Sequence, residues 1–242
     1  MDLTIFDGPD EAALALARRV ADTLGRRPEA VLGLATGRSP VAAYAELRRM
    51  SAAGEADFSR ASSFNLDEFA GVSAAHPGSF RRFMNEHLFD GVALDPARIH
   101  FLNGAAADLD EECERYEREL DASGGMDLLI LGIGANGHIG FNEPGDQLVA
   151  RTHRVRLHEV TRCDNAALFG GNLMDVPREA LSMGIGTLLQ AREIALIATG
   201  ERKARCVERA VRGFLTTRLP ASFLQTHGRV ELFLDRAAAG LL

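Results

Sequence analysis

Four groups of residues in this chain have types and spacings suited to chemistry. The first is one imidazole and one carboxylate, His138 and Glu143, five residues apart behind Gly132, Gly134 and Gly137. An imidazole beside a carboxylate can move protons near neutral pH. The second is an acidic pair, Asp67-Glu68, in the run Phe64-Asn65-Leu66-Asp67-Glu68-Phe69. If one of the two faces a crevice, it can act as a base; otherwise both are surface acids. The third is the turn Ala35-Thr36-Gly37-Arg38-Ser39-Pro40, which leads into a helix. Free backbone N–H groups and the positive helix end make such a turn an anion site, with a plain capped turn as the alternative. No G-x-x-x-x-G-K-[ST] loop is present. The fourth is Lys203, the single lysine among 27 basic residues, all the others being arginine. A compact ammonium at one place only suits a point contact with a phosphate, although a solvated helix lysine would read the same way.

The glycine loop after Leu131 has three readings. It is an ordinary turn carrying a surface histidine, or a dinucleotide fingerprint, or a catalytic loop. Gly132-x-Gly134-x-x-Gly137 fits G-x-G-x-x-G, but the fingerprint requires an acid about 20 residues on. The region from Arg151 to His158 is basic instead, and Asn142-Glu143-Pro144-Gly145 reads as a turn where a helix should begin. The catalytic loop is the reading the remaining residues favour.

These groups need rigid elements behind them. Leu128 to Leu131 is a continuous aliphatic run, the pattern of a strand buried on both faces. Further strands are predicted at Leu3–Phe6, Ala30–Leu34, Ser62–Leu66, Ile99–Leu102, Thr152–Leu157, Ala180–Met183, Glu193–Thr199 and Val230–Leu234. Helices are predicted from an Asp10 cap to Leu24, from Pro40, from a Ser79 cap through Leu88, over Ala107–Ser123, over Thr161–Phe169, and from Lys203 to Arg212. Gly71 to Pro77 is a loop long enough to cover a site. Strands alternate with helices throughout. This predicts one α/β domain over residues 1–242, with an open, mostly parallel sheet covered by helices on both faces. In such sheets ligands bind beyond the carboxyl ends of the strands, where all four groups fall.

Composition narrows the function further. The chain has 242 residues, 46% apolar and 25% charged, enough for a sizeable core. Net charge is −7 with no basic block, which argues against nucleic acid. No apolar run reaches the ~18 residues that span a membrane. The amino terminus lacks the basic region of a signal peptide. Cys113, Cys163 and Cys206 are too few and too far apart for a disulfide framework or a metal cluster. We therefore expect a cytoplasmic protein with free thiols, as a monomer or small homo-oligomer.

With these residues in view, the chain resembles the glucosamine-6-phosphate deaminases (isomerases) over nearly its whole length. The resemblance rests on Ala35–Pro40, Phe64–Phe69, Leu131–Pro144, Gly184-Ile185-Gly186-Thr187 and Lys203. It implies a Rossmann-like open sheet and conversion of glucosamine 6-phosphate and water into fructose 6-phosphate and ammonia, with no metal or organic cofactor. It implies that Asp67 takes the proton from C2, that His138 opens the sugar ring and that Glu143 orients His138. It implies that Lys203 and the turn Thr36, Gly37, Arg38, Ser39 hold the phosphate.

The chain departs from the family at two positions. Asn136 stands where some members have Asp, so an amide replaces a group that could relay a proton. Ala167 stands where an Arg usually grips the phosphate, and a lost charge-assisted contact costs ~1.5–3 kcal/mol. Arg38 or Arg162 could replace it, or the substrate could be another amino-sugar phosphate. A basic pair found in allosterically regulated members is not matched at His153 and Val155, which argues against an amino-sugar effector. The competing functions are a 6-phosphogluconolactonase-like hydrolase, a non-catalytic phosphosugar-binding protein and, last, a nicotinamide oxidoreductase.

Overall fold

The computed structural model describes all of residues 1–242. In chain order the elements are β1 (Asp2–Phe6), α1 (Pro9–Arg26), β2 (Val31–Leu34), α2 (Val41–Ala52), β3 (Ser62–Asn65), β4 (Asp67–Phe69), α3 (Phe80–His87), β5 (Ile99–His100) and α4 (Leu109–Ala122). The second half adds β6 (Leu128–Leu131), β7 (His153–Arg156), α5 (Glu159–Asn165), β8 (Glu179–Ser182), α6 (Ile185–Leu189), β9 (Glu193–Ala198), α7 (Ala204–Arg212) and β10 (Val230–Asp235). No helix is long and apolar enough to cross a membrane.

Seven strands form one sheet in the order β1-β10-β9-β6-β2-β3-β5, and every neighbouring pair is parallel. The aliphatic run of β6 lies between β2 and β9. Its side chains alternate between two cores, Leu128 and Ile130 on one face, Leu129 and Leu131 on the other. Strand β9 divides in the same way, Ala195 and Ile197 against Ile194 and Leu196. Helices α1 and α2 cover the first face; α4, α6 and α7 cover the second. All four β6 side chains are at most 1% exposed. At ~1.5–3 kcal/mol per buried aliphatic side chain, this strand anchors the loop that follows it.

From β2 the chain steps outward on one side, to β3 and β5. It then returns to the other side of β2 as β6 and steps away through β9 and β10. The direction therefore reverses between β2 and β6, and an open sheet leaves its ligand crevice at such a reversal. The turn at Thr36–Ser39 and the glycine loop at Gly132–Glu143 leave the two strands that flank this point.

Five expectations are corrected in detail. Residues 152–157 and 180–183 do not extend the large sheet. As β7 and β8 they join β4 in a separate three-stranded antiparallel sheet, β4-β8-β7. Helix α1 begins at Pro9 after Gly8 with no side-chain cap, so Asp10 lies in its first turn. Strand β5 stops at His100, and the predicted helix over 161–169 is α5 followed by a 3-10 turn at Ala166–Phe169. Lys203 ends a 3-10 turn, one residue before α7, rather than lying in that helix.

Candidate active site

The two adjacent acids have opposite surroundings. Glu68 is buried and accepts from Ser79 Oγ at 2.7 Å and from the N–H groups of Phe69, Phe80 and Arg81 at 2.9, 3.0 and 3.1 Å. Ser79 itself caps α3, accepting from Arg81 N and Arg82 N. Glu68 therefore pins the start of that helix. Asp67 is also buried, yet its Oδ1 has no hydrogen-bond partner. Burial, added to by the Glu68 charge and opposed by the Thr36 hydroxyl, raises the Asp67 carboxyl to about 8. A buried carboxyl with an unpartnered oxygen and a raised proton affinity is a candidate base.

Asp67 also abuts the glycine loop. Gly140, at φ +54°, brings the backbone so close that a Cβ there would lie 3.8 Å from Asp67 Oδ2 and 3.2 Å from Ser182 Oγ. Ser182 Oγ accepts from Phe141 N at 3.0 Å. Asn142 Nδ2 donates to the carbonyls of Ile139 (2.9 Å) and Met183 (2.8 Å). The small antiparallel sheet thus holds both Asp67, on β4, and the loop bearing His138.

The His138 ring lies over Gly134, where any Cβ would overlap it. Its side chain is 18% exposed, and Nδ1 stands 3.7 Å from Glu143 Oε2 and 3.4 Å from Thr161 Oγ1. The first is an ion-pair distance rather than a hydrogen bond. Asn136 bridges the pair: its Nδ2 donates to Glu143 Oε2 at 2.9 Å and its Oδ1 accepts from His138 N at 3.1 Å. Glu143 Oε1 accepts from His158 N at 3.0 Å. Burial alone would raise the Glu143 carboxyl. The His138 charge and donors from Thr161 and His158 outweigh it and hold the group at about 2. Glu143 is therefore a fixed negative charge.

Lys203 Nζ donates to Ile133 O at 2.6 Å, inside the same loop. Burial lowers its proton affinity; Cys206 and Asp164 offset this, while the charges of Arg202 and Arg38 lower it further. The lone lysine and Arg38 of the β2 turn are thus close enough for their charges to interact. Gly37, at φ +90°, lets that turn double back before α2. The geometry separates the two candidates for replacing the Arg absent at Ala167. Arg162 is engaged, donating to Leu173 O at 2.7 Å and Val176 O at 2.9 Å. Arg38 is exposed, and its charge reaches the lysine.

Two supports were not foreseen from the sequence. Residues 216–222 buttress the loop: Ala221 N donates to Gly137 O at 3.0 Å and Thr217 Oγ1 to Gly145 O at 2.7 Å. The start of α5 supplies His158 and Thr161. The first lies some 75 residues beyond the loop and has no motif. The second had one available signal, a histidine at a helix start where Ser, Thr, Asp or Asn is usual.

The fold is an open parallel α/β sheet with two acids, an imidazole and an ammonium gathered beyond the carboxyl ends of its strands. The family model described as glucosamine-6-phosphate isomerases/6-phosphogluconolactonase matches residues 9–232, and the chain belongs to this family. It is 45% identical over 242 residues to the glucosamine-6-phosphate deaminase of Halothermothrix orenii, covering all of both chains. It is 47% identical to glucosamine-6-phosphate deaminase 1 of Giardia intestinalis, over 94% of this chain and 86% of that protein. A solved structure described as a monomeric glucosamine-6-phosphate deaminase superimposes with a TM-score of 0.97 at 41% identity, covering 100% of both chains. The 6-phosphogluconolactonase of Thermotoga maritima shares the fold, with a TM-score of 0.74 at 20% identity over 96% of this chain and 97% of that one.

Proposed function

We infer that this protein is a glucosamine-6-phosphate deaminase, an enzyme of amino-sugar metabolism that converts glucosamine 6-phosphate and water into fructose 6-phosphate and ammonia. The observation that carries the reading is Asp67. It is a buried carboxylate with one free oxygen, set against the loop that bears His138. A lactone hydrolase has no need of a base aimed at carbon.

The residues fit the steps in turn. His138 takes the proton from the C1 hydroxyl and returns it to the ring oxygen as the C1–O bond breaks, which leaves an aldehyde. Glu143, kept ionised, orients the ring so that its other nitrogen faces the sugar. The aldehyde acidifies the C2 hydrogen, and Asp67 removes it to give the enolate of the 2-amino aldehyde. Asp67 returns the proton to C1 and an amine proton passes to the C1 oxygen, leaving a C1 hydroxyl and an imine at C2. Water adds there, ammonia leaves and the ketone remains. Lys203, Arg38 and the N–H groups of the Thr36–Ser39 turn hold the phosphate, a remote handle that positions the reacting end. Every residue with a role comes from one chain, so a monomer suffices. We assign the reaction to the cytoplasm.

The test incubates purified protein with glucosamine 6-phosphate and measures ammonia and fructose 6-phosphate, with 6-phosphogluconolactone as the control substrate. Both products should appear in equal amounts. Lactone hydrolysis without ammonia release refutes the reading.

A further inference from the structure

The Glu143 carboxylate is gripped from two directions. Asn136 Nδ2 donates to Oε2 from within the glycine loop. The other grip comes from His158, which reaches both oxygens. Its main-chain N–H donates to Oε1 at 3.0 Å, and its ring Nδ1 stands 3.6 Å from Oε2. His138 Nδ1 stands 3.7 Å from that same Oε2. One carboxylate oxygen therefore faces an amide and two imidazoles.

The position of His158 is unusual for its residue type. It occupies the N-cap of α5, where a short oxygen-bearing side chain usually closes the helix end. Its side chain makes no capping bond; the ring turns to Glu143 instead. Three residues on, and so on the same side of the turn, Thr161 Oγ1 lies 3.4 Å from His138 Nδ1. The start of α5 thus approaches both members of the His138–Glu143 pair. The His158 side chain is 50% exposed, whereas that of Glu143 is 5% exposed. A half-exposed ring thus stands against a buried carboxylate.

A carboxylate held at only one oxygen can swing about its Cγ–Cδ bond. His158 N–H holds Oε1, Asn136 Nδ2 holds Oε2, and the His158 ring stands 3.6 Å from that second oxygen, so His158 fixes the carboxylate plane together with Asn136. That plane decides whether Oε2 faces His138 Nδ1, and so which ring nitrogen of His138 carries the proton. We propose that His158 is the positioning residue of the catalytic pair: it sets the plane of Glu143 and through it the tautomer in which His138 meets the sugar. The proposal rests on the reading above that His138 opens the ring.

Three variants dissect the two grips. His158→Ala keeps the N–H and removes the ring. His158→Asn puts a side-chain N–H donor back near the place of Nδ1. His158→Pro removes both grips, at a φ of −68° that proline adopts without strain. In His158→Ala, kcat for ammonia release should fall about tenfold with KM changed less than about twofold. His158→Asn should recover most of that loss, and His158→Pro should be the slowest. Independently of turnover, nitrogen-15 NMR of the imidazoles should show the Nδ1–H tautomer of His138 dominant in the parent and mixed with the other tautomer in His158→Ala. Unchanged kcat in His158→Ala overturns the proposal. So does a raised KM at unchanged kcat, which would put His158 on the substrate, and so does an unchanged His138 tautomer. If the parent protein releases no ammonia, the deaminase reading fails and the NMR comparison still decides the proposal. If His158→Pro does not fold, the alanine and asparagine variants decide it alone.

Discussion

Replacing Asp67 with asparagine should make the protein inactive and, at high pH, more stable. The change keeps the shape and removes the charge. The carboxyl titrates at about 8 in the folded chain, because burial and then the Glu68 charge oppose ionisation and the Thr36 hydroxyl only partly offsets them. Its ordinary value is 3.8. Between these limits the native state keeps a proton that the unfolded chain has released. The carboxyl therefore costs nothing below about pH 4, costs more as the pH rises, and costs most above about 8. Each pH unit of displacement is worth ~1.4 kcal/mol, which sets a ceiling of about 6 kcal/mol. Local relaxation and entering water reduce this, and we expect Asp67→Asn to gain about 2 kcal/mol at pH 9 and nothing at pH 4.5. Urea unfolding at three pH values measures the difference. The same variant should lose turnover by ~10²–10⁴ while still binding substrate, and the parent kcat/KM should rise with pH toward 8 as Asp67 ionises. A stability difference independent of pH refutes the argument from burial. Near-normal turnover removes Asp67 from the mechanism.

The neighbouring residues should respond differently. Glu68→Ala removes four hydrogen bonds, three of them to the cap and first turn of α3, and should cost about 2–4 kcal/mol, with faster amide exchange at Phe80 and Arg81; unchanged exchange would show that Glu68 does not hold the helix. Arg38→Ala and Lys203→Ala should each raise KM for glucosamine 6-phosphate about tenfold or more and affect unphosphorylated glucosamine less. Lys203→Ala should also lower kcat because it frees the Ile133 carbonyl, whereas equal effects on both sugars would exclude phosphate contact. Ala167→Arg is expected to improve glucosamine 6-phosphate binding only modestly if Arg38 already supplies the guanidinium, as titration of KM will show; a large gain would mean that the native substrate is another amino-sugar phosphate. Gly134→Ala should displace the His138 ring and reduce kcat by ~10², and a normal kcat would show that the ring can stand elsewhere.

The parallel sheet was legible because its strands carry a two-faced signature. Leu128–Leu131 could only be aliphatic throughout if both faces are covered, and the two cores confirm that they are. The small sheet was hidden because alternation along His153–Arg156 reports which face is wet, not which strand is the neighbour. The acids and the imidazole of the candidate site were legible as residue types set after strands. What separates Asp67 from Glu68 was not, since it depends on N–H groups at Phe80 and Arg81, twelve and thirteen residues beyond Glu68. His158 was invisible for a related reason: its link to Glu143 spans fifteen residues and runs partly through main chain, which has no residue type.

The two acids to which we assign the chemistry differ in how the fold satisfies them. Asp67 has a bare oxygen and an acidic neighbour, and its proton affinity rises. Glu143 is also buried, but it accepts from an amide and a main-chain N–H and faces the His138 ring, and its proton affinity falls. From about pH 2 to about pH 8 the site therefore holds one fixed charge and one carboxyl able to exchange its proton with a carbon acid. Environments that push two acids apart in this way assign their roles. Swapping the donors would exchange those roles: an Asp67 clothed in N–H groups would be too weak a base for a C–H bond, and a bare Glu143 would take up a proton and no longer orient His138. The chemistry thus depends less on having two carboxylates than on giving donors to only one of them.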